Sequence, residues 1–244
     1  MDSFIRSVLE ASTEVIKHLR LDDPSLYLTQ ERGAGGDESL HADLLCEEIF
    51  ASYLKQYGTI YSEESGEIAG TGAGIIYLDP LDGSDNFASH FPYYGASIAL
   101  CNAKEETQKA VIVNFCTQEV FLREDSPAEA LYGHLSNPLS SYVPLASLPK
   151  TARLGIFERA YKDNRLGERI RALGFKFRSP GAIALSLAQA YNVDFVLFRG
   201  KERVYDTKAG LFLCEGLHVL HNEGNFLLVS KDAEVFKKLA GIIN

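Results

Sequence analysis

Three aspartates follow directly on one apolar run. In GIIYLDPLDGSDNF, Gly74 to Phe87, a strand-like segment leads into Asp79, Asp82 and Asp85. Two carboxylates held ~4 Å apart repel by roughly 4 kcal/mol at an effective dielectric of about 20. A bound cation offsets such a cost, and hard cations such as magnesium take oxygen ligands. Asp79 ends a strand, where α/β folds place ligands. Pro80 removes a backbone donor and makes the chain leave its ladder. Asp82 lies inside the turn that follows, so both carboxylates can converge on one point, with the Leu81 carbonyl between them as a third oxygen. Gly83 and Ser84 then open a short helix whose amides suit an anion. An Asp-rich turn whose side chains cap backbone amides accounts for the same residues. An EF-hand does not, because its third position is Leu81 and its twelfth is His90.

More acids lie on either side. TIYSEESGE places Glu63 and Glu64 after another short strand, either as a solvated charge run or as ligands. Two strand ends that deliver acids close together in sequence favour the metal reading. Downstream, RVYDTKAGLFLCEG opens a helix at Asp206. Read alone, that residue is an N-cap worth ~1 kcal/mol.

The elements that must position these groups follow from the hydrophobic pattern. The spacing of Phe4, Ile5, Val8, Leu9, Val15, Ile16 and Leu19 predicts a helix over residues 2–20. Residues 22–37 read as a loop that ends among Gly33, Gly35 and Gly36. A second helix is expected from Glu38 to Tyr57, stopped by Gly58 as a C′ glycine. Short strands are expected at 59–62 and 74–79, then in YYGASIAL, AVIVNF and EVFLRE. Residues 125–150 look irregular. Beyond them RLGIF reads as a strand and NRLGERIRALG as a helix that ends at Gly174. A helix from Gly181 to Tyr191, the strand DFVLFR, a helix from Asp206 to Glu215, the hairpin HVLHNEGNFLLVS and a helix from Ala233 complete the chain. The expectation is a mixed α and β protein with a seam near residue 150.

Composition sets limits. The chain has 244 residues, 46% hydrophobic and 23% charged, enough to bury a core. Its net charge of −9 disfavours nucleic acid as a main partner. The same charge suits a phosphorylated substrate only where metal ions change the local sign. No apolar run approaches the ~20 residues that span a bilayer. The amphipathic start MDSFIRSVLEASTEVIKHLR is not that of a signal peptide, so no membrane association and a cytoplasmic location are expected. Cys46, Cys101, Cys116 and Cys214 form no CxxC and read as buried free thiols. The histidines form no HxxxH or HExxH, which disfavours zinc.

LDPLDGSDNF resembles the DPxDG(S/T)xN signature of the inositol monophosphatase superfamily of magnesium-dependent, lithium-sensitive phosphomonoesterases. SEES at 62–65 resembles its (G/S)EES segment, and YDTKAG at 205–210 its WDxAAG segment, with Tyr205 in place of tryptophan. ESLHADLLCEE at 38–48 resembles the helix that carries an aspartate of its water-activating machinery. The resemblance implies a layered α/β/α/β/α sandwich. An N-terminal subdomain, 1–147, would carry the main metal site, and a C-terminal one, 148–244, would supply Asp206 and substrate contacts. Glu63, Asp79 and the Leu81 carbonyl would hold a first Mg2+, and Asp79, Asp82 and Asp206 a second. A third, weaker ion would sit near Glu63, and Mn2+ is a possible substitute. Ser84 would contact the attacking water with Asp43 as its base partner, and Asp82, Gly83 and Ser84 would meet the phosphate. Ser179 and Gly181 would touch the substrate. Lys201 and Arg203 would meet a second phosphate, unless they form a solvated basic loop. A homodimer is implied as well. The substrate implied is a small phosphorylated metabolite of the inositol monophosphate kind. Fructose 1,6-bisphosphate and 3′-phosphoadenosine 5′-phosphate remain as alternatives, as does a non-catalytic protein that binds metal and phosphate esters.

Overall fold

The computed structural model describes residues 2–32, 38–125, 129–149 and 153–243. The chain begins with α1 (Ser3–Leu19), β1 (Thr29–Arg32), β2 (Glu38–Leu40) and α2 (His41–Leu54). It continues through β3 (Gly58–Ser62), β4 (Gly66–Ile68), β5 (Gly74–Asp82), α3 (Ser84–Ala88), β6 (Gly95–Cys101), β7 (Thr107–Asn114), β8 (Glu119–Glu124), β9 (Leu131–His134) and β10 (Val143–Pro144). The remainder is β11 (Gly155–Glu158), α4 (Asn164–Ala172), β12 (Phe177–Arg178), α5 (Ile183–Ala188), β13 (Val196–Arg199), α6 (Val204–Leu213), β14 (His218–Asn222), β15 (Phe226–Ser230) and α7 (Ala233–Ile243).

Two sheets organise these elements. The larger has the order β10-β9-β8-β7-β6-β5-β3-β4, with β3 and β5 parallel and the other pairs antiparallel. The smaller has the order β12-β11-β13-β15-β14, parallel across β12, β11 and β13. Alternation along the strands sends side chains to both faces, and the buried clusters show what covers each face. Ile76, Leu78, Ile98 and Val111 pack with Ile5, Val8, Phe50 and Leu54 of α1 and α2. On the opposite face Ala110, Ile112 and Phe121 meet Leu185 of α5 and Phe212 and Leu213 of α6. The other side of that helical layer, with Leu187, meets Val196, Phe198 and Val229 of the smaller sheet. Phe157, Leu197 and Leu228 close against Leu166 and Ile170 of α4 and Leu239 of α7. The result is the α/β/α/β/α sandwich expected from the resemblance. Among the described residues no helix is long and apolar enough to cross a membrane. Cys46, Cys101 and Cys214 are buried free thiols as expected, whereas Cys116 is half-buried.

Several boundaries differ from the sequence expectation, each for a tertiary reason. The segment read as a loop over 22–37 holds a short 3-10 turn, Pro24–Tyr27, and β1, which pairs with β2. Gly33, Gly35 and Gly36 lie outside the described residues. The second helix starts at His41 and ends at Leu54. Gly58 is therefore no helix cap. It opens β3 opposite Gly74, and a Cβ there would stand 2.1 Å from the Gly74 carbonyl oxygen. β5 does not stop at Asp79; its pairing to β6 slips by one residue between Asp79 and Asp82 and then resumes. A bulge of this kind accommodates Pro80, which has no amide to donate. The stretch 125–150 contains β9 and β10 at the sheet edge. Gly181 precedes α5 rather than opening it. Asp206 lies within the first turn of α6, whose N-cap is Arg203.

A residue with no distinctive sequence signal anchors α6. Arg123 of β8 is 6% exposed, donates from Nη1 to the carbonyls of Phe212 (3.3 Å) and Glu215 (3.0 Å), and pairs through Nη2 with Glu215. Its guanidinium stacks on Phe212. The Arg123 guanidinium thus adds a donor to the Phe212 carbonyl, which also accepts from the Glu215 amide (3.3 Å), and binds the Glu215 carbonyl just past the helix end, where positive charge is favoured. Hydrogen bonds to charged groups contribute about 1.5–3 kcal/mol. Arg123→Met is expected to lower unfolding free energy by about 2–3 kcal/mol in urea titration; a loss under ~0.5 kcal/mol would remove this anchoring role.

Candidate active site

The parallel pairing of β3 and β5 brings two acids together. Ser62 registers with Leu78, so the next residues, Glu63 and Asp79, emerge side by side, and the Glu63 amide donates to the Leu78 carbonyl (3.1 Å). Asp79 Oδ1 accepts from the Leu81 amide (3.1 Å), which holds its carboxylate over the bulge. The third acid arrives from the other half of the chain. α6 packs between the sheets, and Ser97 Oγ of β6 donates to the Tyr205 carbonyl (3.2 Å) next to Asp206. Carboxylate oxygens of Glu63, Asp79 and Asp206 all lie within 4.8 Å of one another. Asp82 is buried just beyond this trio, with Oδ2 accepting from the Leu185 amide at 3.0 Å.

Burial disfavours charge in all four groups, and repulsion from neighbouring carboxylates adds to it for Glu63, Asp79 and Asp82. Burial pushes Asp79 well above the usual carboxylate range, and the charges of Glu63, Asp82 and Asp206 add to the shift. Burial likewise raises Glu63 to about 8, with Arg203 opposing and Asp206 adding. Asp82 rises to about 8 through burial and the Asp206 charge. Burial also raises Asp206 against the pull of Arg203. Arg203 supplies positive charge: Nε donates to Asp206 Oδ2 (3.1 Å), Nη2 to Asp206 Oδ1 (3.3 Å), and Nη1 pairs with Glu63 Oε1. A set of buried oxygen donors that already attracts a guanidinium fits a hard cation.

Next to the acids the backbone turns sharply. Gly83 caps α3 with φ +87°, and a Cβ there would stand 3.0 Å from the Tyr93 carbonyl oxygen. Asn86 Nδ2 donates to the carbonyls of Tyr93 (2.7 Å) and Pro180 (2.8 Å). The segment that precedes α5 is thereby tied to α3. Glu158, at the end of β11, ties the same segment from the other side: Oε2 accepts from the Gly181 amide (2.9 Å) and Oε1 from Ser186 Oγ (2.5 Å). Gly181 has φ +91°, a conformation that favours glycine.

Asp43 belongs to α2. It is 2% exposed, and Oδ2 accepts from the Leu40 amide at 2.6 Å, as an acid in the first turn of a helix does. Burial raises its pKa to about 7, and the nearby charges of Glu64 and Asp85 contribute. Glu64 in turn bonds Ser39, and Ser65 bonds Glu47, so the loop after β3 is fastened to α2 and to Ser39 of β2.

These groups face one cleft of about 330 Å3. Asp43, Glu63, Asp79, Leu81, Asp82, Gly83, Ser84, Ser179, Gly181, Arg203 and Asp206 line it. Lys201 does not; it is exposed, and its carbonyl accepts from Arg159 Nη1. Arg203, expected at a second phosphate, instead holds the acids. Sequence reading missed Glu158, Arg159 and Tyr161, which complete the wall. Glu158 carried a usable signal, since it closes the strand that RLGIF begins much as Glu63 directly follows its own.

A 90-residue stretch is 40% identical to the Nus factor SuhB of Pseudomonas aeruginosa, covering 35% of this chain and 33% of that protein. A 154-residue stretch is 28% identical to the fructose-1,6-bisphosphatase of Pyrococcus furiosus, covering 63% and 56%. The chain thus spans only a third to just over half the length of these relatives. Among solved structures, the extragenic suppressor protein SuhB of Bartonella henselae superposes with a TM-score of 0.77 at 19% identity, over 99% of this chain and 98% of that one, which establishes the shared fold. The model of the inositol monophosphatase family matches residues 11–235, and on that match the chain belongs to this family.

Proposed function

We propose that the protein is a magnesium-dependent phosphomonoesterase acting on a small phosphorylated metabolite of the inositol monophosphate kind. The observation that carries this reading is the buried trio Glu63, Asp79 and Asp206 beside Asp82 in a cleft that also holds Asp43 and Ser84. Glu63, Asp79 and the Leu81 carbonyl would hold one ion, and Asp79, Asp82 and Asp206 another. Bound there, magnesium supplies neutralising charge, a Lewis acid for the phosphate and a water of lowered pKa.

The chain's own residues supply positioning and a proton acceptor. Asp43, at about 7, is tuned for general-base work near neutral pH. Its Oδ2 is fixed by the Leu40 amide, and in this reading the carboxylate would take the water proton through Ser84 Oγ, which lines the same cleft. Gly83 and Ser84 present backbone amides at the turn into α3, where a phosphate oxygen would be met. Asn86 and Glu158 keep the 179–181 segment in place as the wall against the leaving group.

One observation favours a second reading, a substrate with another anionic group. Arg159 lines the cleft from a left-handed backbone (φ 56°), and its guanidinium lies 4.9 Å from the centre of the Phe198 ring. Non-glycine residues held at positive φ concentrate at ligand sites. Arg159 thus replaces Lys201 and Arg203 as the candidate contact for a second phosphate.

Phosphate release should be followed with and without magnesium for inositol 1-phosphate, fructose 1,6-bisphosphate and 3′-phosphoadenosine 5′-phosphate. Release that requires magnesium is expected; metal and ester binding without release from any substrate would support a binding protein instead. Asp82→Asn is expected to abolish turnover with the fold intact by circular dichroism, and near-normal rates would end its metal role. Ser84→Ala and Asp43→Asn should each lower kcat by roughly 10²-fold or more, as loss of general-base catalysis does; an unchanged kcat would remove that residue from the proton path. Arg159→Gln should raise KM for a bisphosphate and leave a monophosphate unaffected; equal effects on both would reject the second reading.

A further inference from the structure

Arg203 is placed unusually for a cleft arginine. It caps α6 one turn before Asp206 and engages both oxygens of that carboxylate, at 3.1 and 3.3 Å. Its remaining terminal nitrogen pairs with Glu63, which follows β3 in the other half of the chain. One guanidinium therefore holds two of the three acids whose oxygens converge within 4.8 Å. The Arg203 side chain is 27% exposed, whereas those of Glu63 and Asp206 are 12% and 2% exposed.

A planar, bidentate guanidinium and a divalent cation compete for the same lone pairs, and like charges repel at this range. We propose that Arg203 is a resident cation that competes with the metal: its fork on Asp206 and Glu63 stabilises the acid cluster in metal-free protein, and metal entry requires the fork to be displaced. The side chain then sets metal affinity by opposing it. Two functions that otherwise conflict are reconciled this way. The fold tolerates closely packed buried acids during folding, before any ion arrives, and the site still releases them to a dication. This inference rests on the metal reading above.

The test is calorimetric titration of Mg2+ into the wild type, Arg203→Gln and Arg203→Lys, with melting in EDTA as a second readout. Displacement of the fork predicts that Arg203→Gln binds Mg2+ tighter by roughly 5- to 150-fold, the range of typical coupling between two linked binding events. Arg203→Lys keeps the charge but not the bidentate geometry, so its affinity should lie nearer the glutamine variant than the wild type. In EDTA Arg203→Gln should melt below the wild type, and saturating Mg2+ should close the gap. Equal or weaker binding by Arg203→Gln overturns the inference while leaving the metal site standing. A lysine variant indistinguishable from wild type reduces the effect to simple repulsion and overturns the fork. If Arg203→Gln does not fold, the lysine comparison alone decides. Absence of Mg2+ binding by the wild type defeats the metal reading and this inference together.

Discussion

The carboxylates of Glu63, Asp79 and Asp206 meet in a region largely closed to water, with Asp82 beside them. Like charges so placed cannot all stay ionised without a cation, and burial penalises each one further. Much of the surrounding architecture serves to hold this arrangement. Parallel pairing of β3 and β5 sets Glu63, just past the end of β3, beside Asp79 at the bulge of β5, the bulge around Pro80 brings Asp82 back toward them, and α6 carries the last acid in from the smaller sheet's part of the chain. The repulsion within the cluster is what suits it to the proposed role: a site that needs positive charge would take up a metal ion and present that charge to a phosphate. An acidic chain can thereby bind an anionic substrate.

The site depends on contacts between parts distant in sequence. Arg123 of the larger sheet holds the end of α6, so the helix that delivers Asp206 is fixed at its far end by a buried charge. Asn86 and Glu158 clamp the 179–181 segment between α3 and the smaller sheet. Arg203 and Glu63 close the cleft across the two halves. Deleting any one of these would leave the strands intact while loosening the geometry, and catalysis by positioning is lost over distances of about 1 Å.

The sequence made the central acids legible because their signal is local. An acid that follows an apolar run is a local signal, and it found Glu63 and Asp79 from neighbouring residues alone, although β5 runs on past Asp79 to Asp82. The same rule applied to RLGIFE would have found Glu158. Asp206 was legible only through resemblance, since read locally it is an aspartate at a helix start; its role depends on where α6 packs. Gly58 was misread for the same reason: a glycine after a helix suggests a cap, but this one permits the close approach of Gly74. β1, β4, β9 and β10 were missed because they are short and lack strong alternation, and neighbouring strands complete them. Arg123, Arg159 and the pairing of Arg203 gave no local sign, because an arginine's partner is set by the tertiary fold.

If buried carboxylates held at a cost are the organising constraint, stability must report it. Glu63 and Asp82 reach about 8 in the folded protein, well above their unfolded values. The folded state therefore binds more protons than the unfolded state between about pH 4.5 and pH 8, and stability falls as pH rises through that window. On the proposed reading magnesium would take the place of those protons as the neutralising charge and should remove the fall. The direct measurement is the melting temperature from about pH 5 to pH 8.5 in EDTA and in saturating Mg2+. A decline with pH in EDTA that Mg2+ flattens is the expected result. A melting temperature in EDTA that stays level or rises across the window, or one that Mg2+ leaves unchanged at the alkaline end, would contradict it.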